Sequence, residues 1–161
     1  MQYGNQGSQV QERRIPRIGR NMPQKTFRER LEDYALKKYG VVPEHLWPSN
    51  PGNAILRHKE NERWFGLLVN ILRNKLKLEG DDRVDIITLK VASVEHAAEY
   101  LQLPGFRYGY PHGHGNWITV LLDGSAKFAD VKKALDESFE VTEKKGPAKR
   151  GVSNWPNKRF K

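Results

Sequence analysis

Cysteine is absent from the 161 residues. That excludes a disulfide framework, thiol chemistry and cysteine-rich zinc sites, and it makes a cytoplasmic protein the expectation. No apolar run reaches the roughly 18 residues that a membrane-spanning helix needs. The opening residues, Met1 to Ser8, lack the apolar core of a secretion signal. Self-similarity at a period of about 20–50 residues is also missing, which excludes solenoids and propellers. Apolar residues are scarce overall, at 37% with a mean hydropathy of −0.76. Those present cluster between Phe27 and Val141, so the chain ends are expected to lie outside the core.

Acidic residues are missing from one long stretch. Residues 144–161 carry Lys144, Lys145, Lys149, Arg150, Lys158, Arg159 and Lys161 with no acid, a charge of +7. Residues 1–24 carry Arg13, Arg14, Arg17 and Arg20 against Glu12, a charge of +3. The body, 25–143, is nearly neutral at −1, although the whole chain stands at +9. Three parts follow: a basic flexible arm over 1–24, a folded domain over 25–143, and a basic flexible tail over 144–161. Electrostatic contact with nucleic acid would involve the ends first.

The strongest strand signal runs from Trp117 to Leu122, aromatic, β-branched and aliphatic without charge. Asp123-Gly124 stops it, and Ser125 is positioned to cap a helix over Lys127–Val141. Thr26-Phe27-Arg28-Glu29 has capping-box spacing, ahead of a helix that Gly40 ends. The proline-rich connector 41–53 carries Trp47, which is expected to pack on the core. Strands are expected at Ala54–His58, Arg63–Ile71 and Val84–Val91, with a polar turn over Lys59–Glu62. Period two places Phe65, Leu67, Val69 and Ile71 on one face, and Trp64, Gly66, Leu68 and Asn70 on the other. Leu76 and Leu78 are placed to fold back on the sheet. Ser93 caps a helix to about Leu103 with Val94, Ala97, Ala98 and Leu101 inward, and Phe106–Tyr110 is extended. The fold class is therefore α+β: an antiparallel sheet of about five strands, helices packed on one face, in the order α-β-β-β-α-β-β-α.

In order and spacing, several segments resemble the MmcQ/YjbR family. They are Asn53 to Asn61, Arg63-Trp64-Phe65, Val84 to Lys90, Pro104-Gly105, Trp117 to Ser125, and Ser138 to Thr142. The resemblance spans about 26–143. It implies a compact α+β domain of a kind commonly labelled DNA-binding, and carries over no catalytic residue. One departure stands out. Family members tend to have Tyr-His-Met-Asn-Lys before the tryptophan, whereas here Tyr110 is followed by Pro111-His112-Gly113-His114.

Candidate sites come in three groups. Arg57, Lys59 and Arg63 flank the first hairpin, while Lys90, Arg107 and Lys127 stand near other strand ends. Together they would make a phosphate-reading face; Glu60, Glu62 and Asp85 offer the alternative of scattered solvating charge, which the body's −1 favours. In the tail, Trp155 and Phe160 stand among Lys144, Lys145, Lys149, Arg150, Lys158 and Arg159 and could stack on unpaired bases. The alternatives are that Trp155 docks back on the protein or that the tail merely solubilises. His112 and His114 could join one metal, since imidazole suits zinc, copper or nickel. A stable zinc site takes three or four protein ligands, and no motif supplies the rest, so a solvated loop, no metal and no cofactor are expected.

Asp123-Gly124-Ser125 lacks the flanks of a nucleophile elbow, and without a catalytic constellation no enzyme is expected. The leading expectation is a DNA- or RNA-binding protein without membrane contact. The alternative is a protein-interaction or adaptor module, with a sheet face bearing Trp64 and Leu68 as docking or homodimer surface. A third is a small-molecule site near Tyr108–His114.

Overall fold

The computed structural model describes residues 23–111 and 115–144. The order is α1 (Phe27–Tyr39), β1 (Ala54–Arg57), β2 (Trp64–Leu72), a 3-10 turn (Arg73–Leu76), β3 (Arg83–Lys90), α2 (Val94–Tyr100), β4 (Phe106–Tyr108), β5 (Trp117–Leu121) and α3 (Phe128–Glu143). Every neighbouring pair in the sheet is antiparallel, and the spatial order is β1-β2-β3-β5-β4. The expected fold class is thus the observed one.

Local chemistry explains the helix ends. Thr26 accepts from the Glu29 amide at 3.1 Å while Glu29 accepts from the Thr26 amide at 2.8 Å, closing the capping box. Gly40 ends α1 at φ +68°. Ser93 caps α2 through the His96 amide at 3.0 Å. Ser125 does not cap α3. Its hydroxyl and its amide both donate to Asp123 Oδ1, at 2.6 and 3.0 Å, and the helix begins after Lys127 without a side-chain cap. Aspartate two residues upstream offers the same donors a closer charged acceptor.

All three described helices cover one sheet face. Leu31 and Ala35 of α1, Ala97 and Tyr100 of α2, and Val131 and Leu135 of α3 meet Leu56, Leu68, Ile87, Leu89 and Ile118 there. On α2, Val94 and Ala98 turn out to solvent, contrary to the sequence expectation, and Tyr100 takes the inward position. Its ring stacks on Phe106, centroids 5.4 Å apart, which aims that stripe of the helix at β4.

Among the described residues no helix covers the opposite face. Trp47 from the connector, with Leu76, Leu78 and Tyr110, lies over Ile55, Leu67, Val69, Ile71, Val84 and Ile86. Strict alternation fails on β2. Phe65 joins Leu68 on the helix side, while Trp64, Leu67, Val69 and Ile71 point away. The register shifts here, with Leu56 opposite Gly66 but Arg57 opposite Trp64. One extra residue bulges β2 and swings Phe65 to the other face.

Below α1, Arg28 is a nearly buried cation. It donates to Glu32 at 2.9 Å, to the Gly52 carbonyl at 2.6 Å and to Asp85 at 3.0 Å; Asp85 also accepts from Asn70. Two carboxylates and one backbone carbonyl thereby replace the water that the guanidinium loses, and Asn70 steadies Asp85 from its other side.

Candidate nucleic-acid interface

Strand direction decides which cations meet. The β1–β2 hairpin turns at His58–Arg63, β3 ends at Lys90, and β5 begins at Trp117 opposite Lys90. All lie at one end of the sheet. The last turn of α3 reaches the same end, where Asn61 Nδ2 donates to the Thr142 carbonyl at 2.9 Å. Residue 144 therefore leaves the domain beside the hairpin.

Two cation–tryptophan pairs stand here on the face away from the helices. Arg57 lies 6.0 Å from the Trp64 ring centre, and the Lys90 ammonium 5.5 Å from that of Trp117. Leu89 and Ile118 face the helices, so alternation turns Lys90 and Trp117 the other way. Trp64 is edge-on to Trp47, centroids 6.1 Å apart. Arg57 is further held by Glu44 at 3.0 Å and by the Glu62 carbonyl at 3.3 Å. Lys59 is exposed and Arg63 half-buried on the hairpin itself.

The structure thus gathers Arg57, Lys59, Arg63, Lys90 and exposed Lys144 at one end. It separates Arg107, whose Nη2 donates to the Leu76 carbonyl at 3.2 Å beside edge strand β4. Lys127 precedes α3 at the opposite end. Lys145, Lys149, Arg150, Trp155, Lys158 and Arg159 lie outside the described residues, as do His112 and His114. Among the described residues no group of three His, Asp or Glu is placed to hold a metal, and no helix is long and apolar enough to cross a membrane. Sequence reasoning did not join the tryptophans to their cations, because that partnership needs the cross-strand register. It also passed over Lys75 and Lys77; their spacing around Leu76 was the available signal.

Beneath the hairpin, His58 is 1% exposed between the rings of Phe65 and Phe139, centroids 4.9 and 4.3 Å away. Thr142 Oγ1 gives its proton to the Ser138 carbonyl at 2.7 Å, so it accepts from His58 Nε2–H, also at 2.7 Å. His58 Nδ1 then carries the lone pair and has no hydrogen-bond partner among the described residues. Burial pulls the imidazole pKa below its ordinary value, against the opposing pull of Glu143 and Glu60.

On the helix side, Glu137 accepts from His96 Nδ1 at 2.7 Å, the Ala92 amide at 2.8 Å and the Tyr100 hydroxyl at 3.0 Å. The hydrogen bond and charge of Glu137 raise the His96 pKa. The two histidines therefore act oppositely on stability. In the unfolded chain both titrate near 6.5. Between the depressed folded value and about 6.5, the unfolded chain binds the His58 proton more tightly, so acidification costs stability. His96 contributes fully below about 6.5 and loses its contribution as pH rises through its raised folded value. Urea midpoints measured at mildly acidic and mildly basic pH separate them. His58→Phe removes the acid-side loss below about 6.5, and His96→Gln removes the gain in stability as pH falls from the basic side to about 6.5.

Comparison with known proteins places this architecture. The family model YjbR matches residues 36–141. The uncharacterized protein YyaQ of Bacillus subtilis (strain 168) is 31% identical over 119 residues, 71% of this chain and 97% of its own. A crystal structure of a Pseudomonas syringae protein superposes with a TM-score of 0.66 at 36% identity, covering 71% of this chain and 97% of that one. A solution structure from the same organism gives 0.63 at 38% identity, covering 71% and 91%.

Proposed function

Because this chain belongs to the YjbR family, whose members are commonly labelled DNA-binding, we propose that it binds DNA or another nucleic acid without catalysing a reaction on it. One observation carries the proposal: the hairpin end joins two cation–tryptophan pairs to the point where the chain enters its stretch of seven cations and no acid. The sheet end supplies orientation. The tail supplies phosphate charge, and each phosphate neutralised releases counterions. Trp155 and Phe160, set among the tail cations, offer stacking to unpaired bases, so single strands bind at least as well as duplex.

The residues named for the adaptor alternative do not share a face: Trp64 lies on the side away from the helices. Leu68 faces the helices, and the face without helices is covered by Trp47, Leu76 and Leu78.

Titrating duplex and single-stranded DNA against the full chain over a range of salt tests the proposal. Affinity should fall linearly on a log–log plot against salt. Replacing the tail cations with glutamine should flatten the slope by about 0.9 for each duplex phosphate that is no longer neutralised. Lys59→Gln with Lys90→Gln should weaken both ligands while the chain stays folded. Unchanged affinity in the tail variant removes the tail from the mechanism. No binding by the intact chain at low salt overturns the proposal.

A further inference from the structure

A cleft of about 800 Å³ opens against edge strand β4, between the 3-10 turn and the end of α2. It lies within the size range of small-molecule sites, about 300–1,000 Å³. Leu76, Leu101 and Phe106 give it apolar walls, and Lys75, Lys77 and Arg107 give it three cations. Among the described residues no aspartate or glutamate lines it. Tyr108, 62% exposed, adds a flat ring.

Arg107 is fixed on the cleft wall, and Lys77 reaches the cleft from an unusual backbone position. The Arg107 guanidinium is tied to the wall through the Leu76 carbonyl, and Arg107 pairs with Thr119 across β4 and β5. Lys77 sits at φ +60°, a left-handed conformation uncommon for a residue with a side chain. Glycine or asparagine would hold that turn at less cost, yet lysine occupies it and lines the cleft.

We propose that this cleft binds a mononucleotide, an aromatic base carrying a phosphate. Apolar walls and Tyr108 take the base. The three cations take a dianionic phosphate, which matches their number better than a single carboxylate does, and arginine offers it a bidentate fork. The cleft shares no residue with the cation–tryptophan row and stands independently of DNA binding.

Isothermal titration of the full chain with adenosine 5′-monophosphate, adenosine and inorganic phosphate tests this. The nucleotide should bind saturably at one site, with adenosine and phosphate each at least roughly tenfold weaker. Lys75→Gln with Lys77→Asn should weaken the nucleotide by roughly tenfold or more. Both positions are exposed and asparagine tolerates the left-handed turn, so folding is preserved. Tyr108→Ala should weaken the nucleotide but leave phosphate unchanged. Lys37→Gln with Lys133→Gln, exposed on the helices, should leave binding within twofold. Three results would each overturn the proposal: no saturable binding at millimolar nucleotide, equal losses in the two lysine pairs, or phosphate alone binding as tightly as the nucleotide.

Discussion

Phe65→Ala is expected to lower the unfolding free energy by about 3–5 kcal/mol, the range for truncating a fully buried aromatic side chain. Phe65 is 2% exposed and its ring meets three others: Tyr39 at 5.5 Å, His58 at 4.9 Å and Phe139 at 4.9 Å. Tyr39 also stacks on Phe139 at 4.1 Å. This one cluster ties the ends of α1 and α3 to the first hairpin. Truncation leaves a cavity that three rigid rings fill poorly, and the bulge prevents β2 from sliding to supply another side chain. Urea denaturation of the purified variant gives the number. A loss below about 1 kcal/mol would show that the site collapses freely. Should the alanine variant not fold, Phe65→Leu, which keeps most of the volume, is expected to cost about 1–1.5 kcal/mol. The loosened hairpin end should also bind DNA more weakly if the proposed interface is correct.

Gly105→Ala is expected to cost about 2–5 kcal/mol, combining a left-handed backbone term of about 1–2 with an overpacking term of about 1–3. Gly105 has φ +82°, and an added Cβ would stand 2.7 Å from Ala126 Cβ, 2.8 Å from its nitrogen and 3.0 Å from its Cα. Two of those atoms are backbone and cannot rotate away. The Gly105 carbonyl also accepts from the Leu121 amide at 2.9 Å, so relief by backbone movement would disturb the end of β5. Gly124 provides the control: φ is +97°, yet nothing lies within 4 Å of its added Cβ. Gly124→Ala should therefore show the backbone term alone, about 1–2 kcal/mol. Adding Ala126→Gly to Gly105→Ala should recover part of the loss. Thermal and urea melts of these variants give the comparison, and equal losses for Gly105→Ala and Gly124→Ala would refute the steric term.

Legibility in the sequence followed the range of the interaction. The Thr26–Glu29 box, the Gly40 stop and the Ser93 cap are each contained within a few residues, and each formed as the sequence indicates. Ser125 misled because the cap position falls at Lys127, two residues further on, which leaves its oxygen out of line with the first helix amides and its hydroxyl donating to Asp123. Phe65 misled because alternation assumes an unbroken ladder, and a bulge is invisible until the partner strand is known. Val94 and Ala98 fit a helical stripe on paper, but a helix of seven residues has its inward side chosen by what it lands on, here Phe106. For the candidate interface, the hairpin cations could be named from sequence. Sequence reasoning groups Lys90, Arg107 and Lys127 with them; that only Lys90 shares their end, while Arg107 lines a cleft on β4 and Lys127 lies opposite, needed the strand directions.

From sequence alone came the element order and the separation of a nearly neutral body from strongly basic ends. Spacing of three or four residues and charge counts need no knowledge of distant partners. Tertiary structure alone decided which face Phe65 occupies, that loops close the second side of the sheet, and which cations share an end. Those outcomes depend on strand register and on contacts between residues far apart in the chain, where a shift of one position reverses every side chain.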